Sequence, residues 1–272
     1  MGGSLAREIR PWTKIRRPRA TLACAWMVDL LVLLAAASAT ALATGLGAVP
    51  VFLLGDRAAE LTPFLLGLAA GVMGVASVFG LLVPAAEEGS PAAVLGGLLL
   101  GALLLGVARR RLRPEAAFMG RRGPGVRTSA LVFAVLFVHS LPEGLAVGTA
   151  YASDRAGLGL FVIVAIAIQN IPEGTSVAIP MEAAGFSHAR QFWAAVGTSA
   201  PQPVGAVIAY LAVEEVTALL PLSFAFAAGA MLSLIAIEMV PDAYESRHPL
   251  GPSMGIVAGA ALMLGLSLLL GV

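Results

Sequence analysis

Apolar residues run along this chain in eight long blocks, without the steady mixture of polar positions that a water-soluble fold keeps on its outer face. A bilayer's hydrocarbon core takes about 20 apolar residues to cross as a helix. Reading for that length predicts spans over 22–49, 62–86, 91–108, 128–152, 156–181, 190–212, 217–241 and 252–271. The connections are short except for 109–127, so consecutive spans are expected to lie antiparallel and side by side. The fold class expected is all-α: a polytopic membrane protein of eight transmembrane helices. A basic tail at 1–21 precedes a single membrane domain at 22–272, with no room for a separate soluble domain.

Composition agrees. The chain is 58% hydrophobic and 12% charged, with a mean hydropathy of +0.90, against about 25% charged residues in soluble domains. Its 31 glycines suit helices that approach closely in lipid. The lone Cys24 excludes an intrachain disulfide and a cysteine-rich metal site, and a net charge of +1 gives no reason to expect a nucleic-acid partner. The tail reads as a charged lead into the first span rather than a cleaved leader, since its apolar run is too long for one. Loop 109–127 holds seven arginines and one acid, Glu115. The side bearing that loop counts ten Lys/Arg against seven on the side of the tail. The excess leans toward loop 109–127 in the cytosol and both termini outside.

Within this apolar chain two six-residue stretches stand out: His139-Ser140-Leu141-Pro142-Glu143-Gly144 and Gln169-Asn170-Ile171-Pro172-Glu173-Gly174, offset by 30 residues on neighbouring spans. In each, a ligand-type side chain stands four residues before a glutamate, which puts both on one helix face. Imidazole, carboxylate and amide oxygen suit divalent ions such as zinc, iron, manganese or cadmium. With His139 neutral, the two glutamates give a charge of about −2, which one divalent cation would cancel, and buried carboxylates at membrane depth are costly without such a partner. Pro142 and Pro172 each remove a backbone donor, so both helices are expected to break or bend at the motif. Ser140 is either a ligand or bonded back to its own helix. Gln202, between two prolines that break span 6, is either a neutral ligand or a hydrogen-bond partner of a glutamate. Glu238 is a ligand at one mouth of the path or an interfacial charge. Asp29 reads as interfacial, His188 and His248 as solvated, and Met73 as packing.

The paired signatures resemble those of the ZIP (Zrt/Irt-like) divalent-metal transporters, most closely the prokaryotic ones. Supporting stretches are Ala43–Pro50 on span 1 and Ala227–Met231 leading to Glu238 on span 7. The resemblance covers about 22–272 and implies a 3+2+3 arrangement in which spans 1–3 and 6–8 are inverted repeats around 4 and 5. It also implies a cell-membrane homodimer, elevator-like motion, a cytosolic loop 109–127 and both termini outside. It carries the family's metal ligands over to His139, Glu143, Gln169, Asn170 and Glu173, with Gln202 and Glu238 as further metal-site candidates. Three positions depart from the family: Ser140 and Ile237 stand where asparagine and histidine are frequent, and Gln202 where many members have glutamate. One main ion per protomer is therefore expected. The function expected is transport of a divalent transition metal, zinc first, toward the cytosol, with the ion as substrate and no catalytic cofactor. The alternatives are a broad iron, manganese and cadmium carrier and an intramembrane metalloenzyme. Against the enzyme, the chain lacks His-Glu-x-x-His and has only one histidine at depth.

Overall fold

In hydrocarbon each backbone polar group must find its partner within the protein, so long apolar blocks close their hydrogen bonds as helices. The computed structural model describes residues 19–112, 117–153, 155–245 and 250–272. The expectations for most of the tail and for Glu115 and His248 fall outside the described residues, and the side chain of Cys24 is likewise not described. The first span is α1 (Arg19–Leu46) with the short α2 (Val49–Leu54). The second is α3 (Ala58–Val75), a π-helical stretch at Ala76–Leu82 and α4 (Val83–Glu88). The third, fourth and fifth are α5 (Pro91–Arg111), α6 (Pro124–Ala152) and α7 (Leu158–Ala183). The sixth is split into α8 (His188–Thr198) and α9 (Pro201–Glu215). The seventh is α10 (Leu220–Leu234), a second π-helical stretch at Ile235–Met239 and α11 (Val240–Tyr244), and the eighth is α12 (Leu250–Leu270). Among the described residues, eight helices are thus long and apolar enough to cross a membrane.

Local chemistry explains several ends. Ser90 caps α5 by accepting from the Ala93 N–H at 3.3 Å, Pro91 sits where no N–H is needed, and Arg109, Arg110 and Arg111 lie at the negative end of the helix dipole. Span 6 breaks just ahead of Pro201, as its proline pair leads one to expect. The expectation that Pro142 and Pro172 break their helices needs correction, because α6 and α7 run through both prolines without interruption. Each proline removes one donor from a helix of 29 or 26 residues, and packing on neighbouring helices holds the rest in register. Loop 109–127 carries a two-residue hairpin, β1 (Ala117–Phe118) with β2 (Arg121–Arg122). Met119 and Gly120 turn it with φ of 47° and 80°.

Two groups of helices can be separated. Helices α1, α6, α7, α8 and α9 pack most extensively on one another, and so do α3, α4, α5, α10, α11 and α12. Inside each group glycines let backbones touch. A Cβ at Gly148 would strike the carbonyl oxygen of Ala206, one at Gly71 that of Ile256, and one at Gly101 that of Phe226. Among the described residues, no glycine within a spanning helix meets backbone of the other group. The boundary between the groups, where α3 faces α7 and α10 faces α6, thus lacks these close glycine-to-backbone approaches along the spans.

The pairing is also symmetric. Exchanging spans 1, 2, 3 and 4 with 6, 7, 8 and 5 converts the contact of spans 1 and 5 into that of 6 and 4. The same exchange converts that of 2 and 8 into that of 7 and 3. The two π-helical stretches correspond under this exchange, and each is followed by Val-Pro-x-Ala-x-Glu, at 83–88 and 240–245. Contacts between loops agree with alternating spans. Arg121 Nη1 donates to the Ala184 carbonyl at 2.8 Å, joining loops 3–4 and 5–6 on one side. On the other side Arg155 binds Glu87 and Glu88 at 2.7 Å each. Burial disfavours the Arg155 charge, but its hydrogen bonds to Glu88 and Glu87 outweigh that and hold the guanidinium above its ordinary pKa.

Candidate metal centre

The motif on α6 and its near-copy on α7 meet at the middle of the first group. His139 and Glu143 lie one turn apart on α6, with His139 Nε2 3.2 Å from Glu143 Oε1 and 3.8 Å from Glu173 Oε1. One ligand atom from each of the three lies within 4.8 Å of the others, and all three side chains are buried. The glycine after each glutamate brings a further helix to the cluster. A Cβ at Gly144 would fall on the carbonyl oxygen of Gln202 and one at Gly174 on that of Thr44. Those close approaches seat α9 and α1 against the carboxylates.

Glu143 is held between two amides. Gln169 Nε2 donates to its Oε1 and Gln202 Nε2 to its Oε2. Gln202 Oε1 in turn accepts from Thr40 Oγ1 at 3.0 Å and from Asn170 Nδ2 at 3.2 Å, and Asn170 Nδ2 also donates to the Thr40 carbonyl at 2.8 Å. The Thr44 and Ser199 hydroxyls share a hydrogen bond of 2.6 Å beside them. By contrast, both ring nitrogens of His139, Glu173 Oε1 and Gln169 Oε1 are buried without a hydrogen-bond partner. A buried polar atom left so costs about 1–3 kcal/mol. One ring nitrogen of His139 with the Glu173 and Gln169 oxygens gives a donor set that suits a divalent transition ion.

The other candidates fall as follows. Ser140 Oγ donates to the Leu136 carbonyl at 2.9 Å, bonding back onto its own helix. Gln202 is a hydrogen-bond partner of Glu143 rather than one of the atoms without a partner. Asn170 turns its nitrogen toward α1 and α9. Glu238 lies outside the three-residue cluster. It sits in the second π-helical stretch, 8% exposed, with Oε1 2.8 Å from Arg109 Nε. Asp29 is exposed, Met73 is fully buried, and His188 stacks on Phe52 with ring centroids 4.3 Å apart.

A cavity of about 610 Å³ leads away from the cluster, lined by Glu173, Ser176, Glu238, Asp242, Glu245 and Arg109 among others. It runs toward the end of the molecule that carries loop 109–127. Sequence reasoning passed over Thr40 and Thr44, although two hydroxyls four residues apart in an apolar block are a detectable signal. It also took Arg109 as one of a loop's arginines. The repeated Val-Pro-x-Ala-x-Glu was there to be found and points to the symmetry of spans 2 and 7.

The profile of a family described as "ZIP Zinc transporter" matches residues 122–267. The chain is 38% identical over 241 residues to zinc transporter GufA of Myxococcus xanthus, covering 84% of this chain and 95% of that protein. It is 34% identical over 241 residues to zinc transporter ZIPB of Bordetella bronchiseptica, covering 84% and 78%. A relative in Arabidopsis thaliana is 36% identical over 238 residues, 85% of this chain but 38% of its own length. These relatives are transporters by name, so the metalloenzyme alternative is set aside. Eight spanning helices, the paired signatures on α6 and α7 and these matches together make the chain a member of the ZIP zinc transporter family.

Proposed function

We propose that this protein carries a divalent transition metal, zinc first, across the cell membrane toward the cytosol, through a site between spans 4 and 5. His139, Glu143 and Glu173 bind the ion, with the Gln169 oxygen completing the set. Asn170 and Gln202 orient these groups, and Glu238 stands farther along the path. The reading is carried by one observation: three buried ligand groups converge within 4.8 Å while imidazole and carboxylate atoms among them, and the neighbouring Gln169 amide oxygen, lack partners. Carboxylate and amide oxygens also exchange with water more readily than thiolates would, as a carrier requires.

The cavity reaching Glu173 from the side of loop 109–127 supports release on that side, which we assign to the cytosol, with both termini outside. Glycine-locked packing inside each group, with no such close approach between the spanning helices of the two groups, supports a shift of one group against the other as the step that exposes the ion alternately. The active form is a homodimer. The test is uptake of radiolabelled zinc into proteoliposomes, with iron, manganese and cadmium as competitors. Glu143→Ala is expected to abolish uptake while the protein still inserts, and unchanged uptake would refute the site.

A further inference from the structure

Glu238 is nearly buried at the cavity wall, where an ionised carboxylate is costly unless a cation stands beside it. Arg109 supplies that cation twice over. Its Nε lies 2.8 Å from Glu238 Oε1, and its Nη1 donates at 2.9 Å to the carbonyl of Ile237 in the same π-helical stretch. Arginine stays charged at any physiological pH, and its flat fork of donors can satisfy a carboxylate and a carbonyl together. The pair comes from different helices, α5 and the π segment of span 7, so it is tertiary structure rather than the side contact of one helix. Glu173 of the metal cluster, Glu238 and Arg109 line the same cavity. An ion leaving the cluster by that cavity therefore passes Glu238.

We propose that Arg109 is a positioning residue for release: a tethered counter-cation that occupies Glu238 so that the departing metal ion is not captured there. This inference rests on the transport reading above. A carboxylate on the wall of a narrow, low-dielectric cavity attracts a divalent ion strongly. With Arg109 in place that attraction is already spent on the guanidinium, and the ion proceeds to the more solvated Asp242 and Glu245. Without it Glu238 becomes a resting place, and exit is slowed by the time the ion spends there.

The test counts zinc retained per chain in the purified full-length protein after free Zn²⁺ is removed, and times zinc release from loaded proteoliposomes. Arg109→Gln is expected to retain one further zinc ion and to slow release about tenfold, the effect of about 1.4 kcal/mol of added affinity. Arg109→Lys, which keeps the cation, is expected to hold the wild-type count. Adding Glu238→Gln to Arg109→Gln is expected to remove the extra ion, a reversal that a merely structural role for Arg109 would not produce. Arg109→Met, of similar reach and no charge, carries the same test if the glutamine variant does not fold. An unchanged count in the uncharged variants overturns the proposal, and so does an extra ion that survives in the double variant. Failure of the wild-type protein to take up zinc would instead refute the transport reading, since the ion count is read without transport.

Discussion

At the scale of single residues, the distinguishing feature of the centre is the amide of Gln202. Its nitrogen occupies Glu143 Oε2, and its oxygen gathers Thr40 and Asn170. A neutral donor thus stands on the far face of Glu143, where a second cation would otherwise be needed to hold a second carboxylate. Gln202→Glu would place two carboxylates in contact, and like charges so close do not both ionise without a cation between them. The variant is expected to bind a second ion per chain where the wild type binds one tightly, as counted by atomic absorption after gel filtration. Two tightly held ions in the wild type would overturn the single-ion reading. That His139 and Glu143 lie together was legible because i and i+4 on a helix share a face whatever the fold around them. The choice between ligand and partner for Gln202 was not legible, because it depends on how closely α9 approaches α6, and a glycine on another helix decides that.

At the scale of elements, the close approaches should be visible in stability. Gly174→Ala drives a methyl group into the Thr44 carbonyl and is expected to destabilise the protein by about 1–3 kcal/mol. At Gly106 on α5 a Cβ meets nothing within 4 Å, so Gly106→Ala is expected to be neutral or to stabilise by up to about 1 kcal/mol through helix propensity. Thermal unfolding in detergent compares the two, and equal effects would refute the packing argument. The spans themselves could be read from the apolar blocks, since hydrocarbon demands length and apolarity before anything else. The uninterrupted passage of α6 through Pro142 and α7 through Pro172 could not. A single missing donor is a local cost, and whether it breaks a helix depends on the packing around it. The π-helical stretches were hidden for a related reason: an extra residue in a turn leaves no mark on an all-apolar pattern.

At the scale of the whole molecule, the present arrangement is open toward loop 109–127 and held at the opposite face. There Arg155, between spans 4 and 5, grips Glu87 and Glu88 at the end of span 2 and so joins the two helix groups. Ser176 lines the open cavity. In a Cys24→Ser background, Ser176→Cys is expected to react with a membrane-impermeant thiol reagent applied from the side of loop 109–127, and zinc is expected to slow the reaction. Labelling only from the other side would overturn the opening of the cavity toward that loop. The loops on each face could not be paired by sequence reading alone. The contacts that tie them, Arg121 with Ala184 and Arg155 with Glu87 and Glu88, link residues 63 and 67–68 positions apart.

The buried cluster has a consequence for energetics as well as for binding. Entry of a divalent ion makes the cluster more positive by two charges, less one for each proton that leaves as the ion enters. A group that moves within the membrane does work against the transmembrane voltage in proportion to its charge, about 2.3 kcal/mol per charge for roughly every 100 mV crossed. On the transport reading proposed above, the loaded and empty sites therefore feel the field differently, by that difference in charge. In a cell that is negative inside, voltage favours the step that carries the greater positive charge inward, so the number of protons released on binding sets how strongly the potential drives uptake.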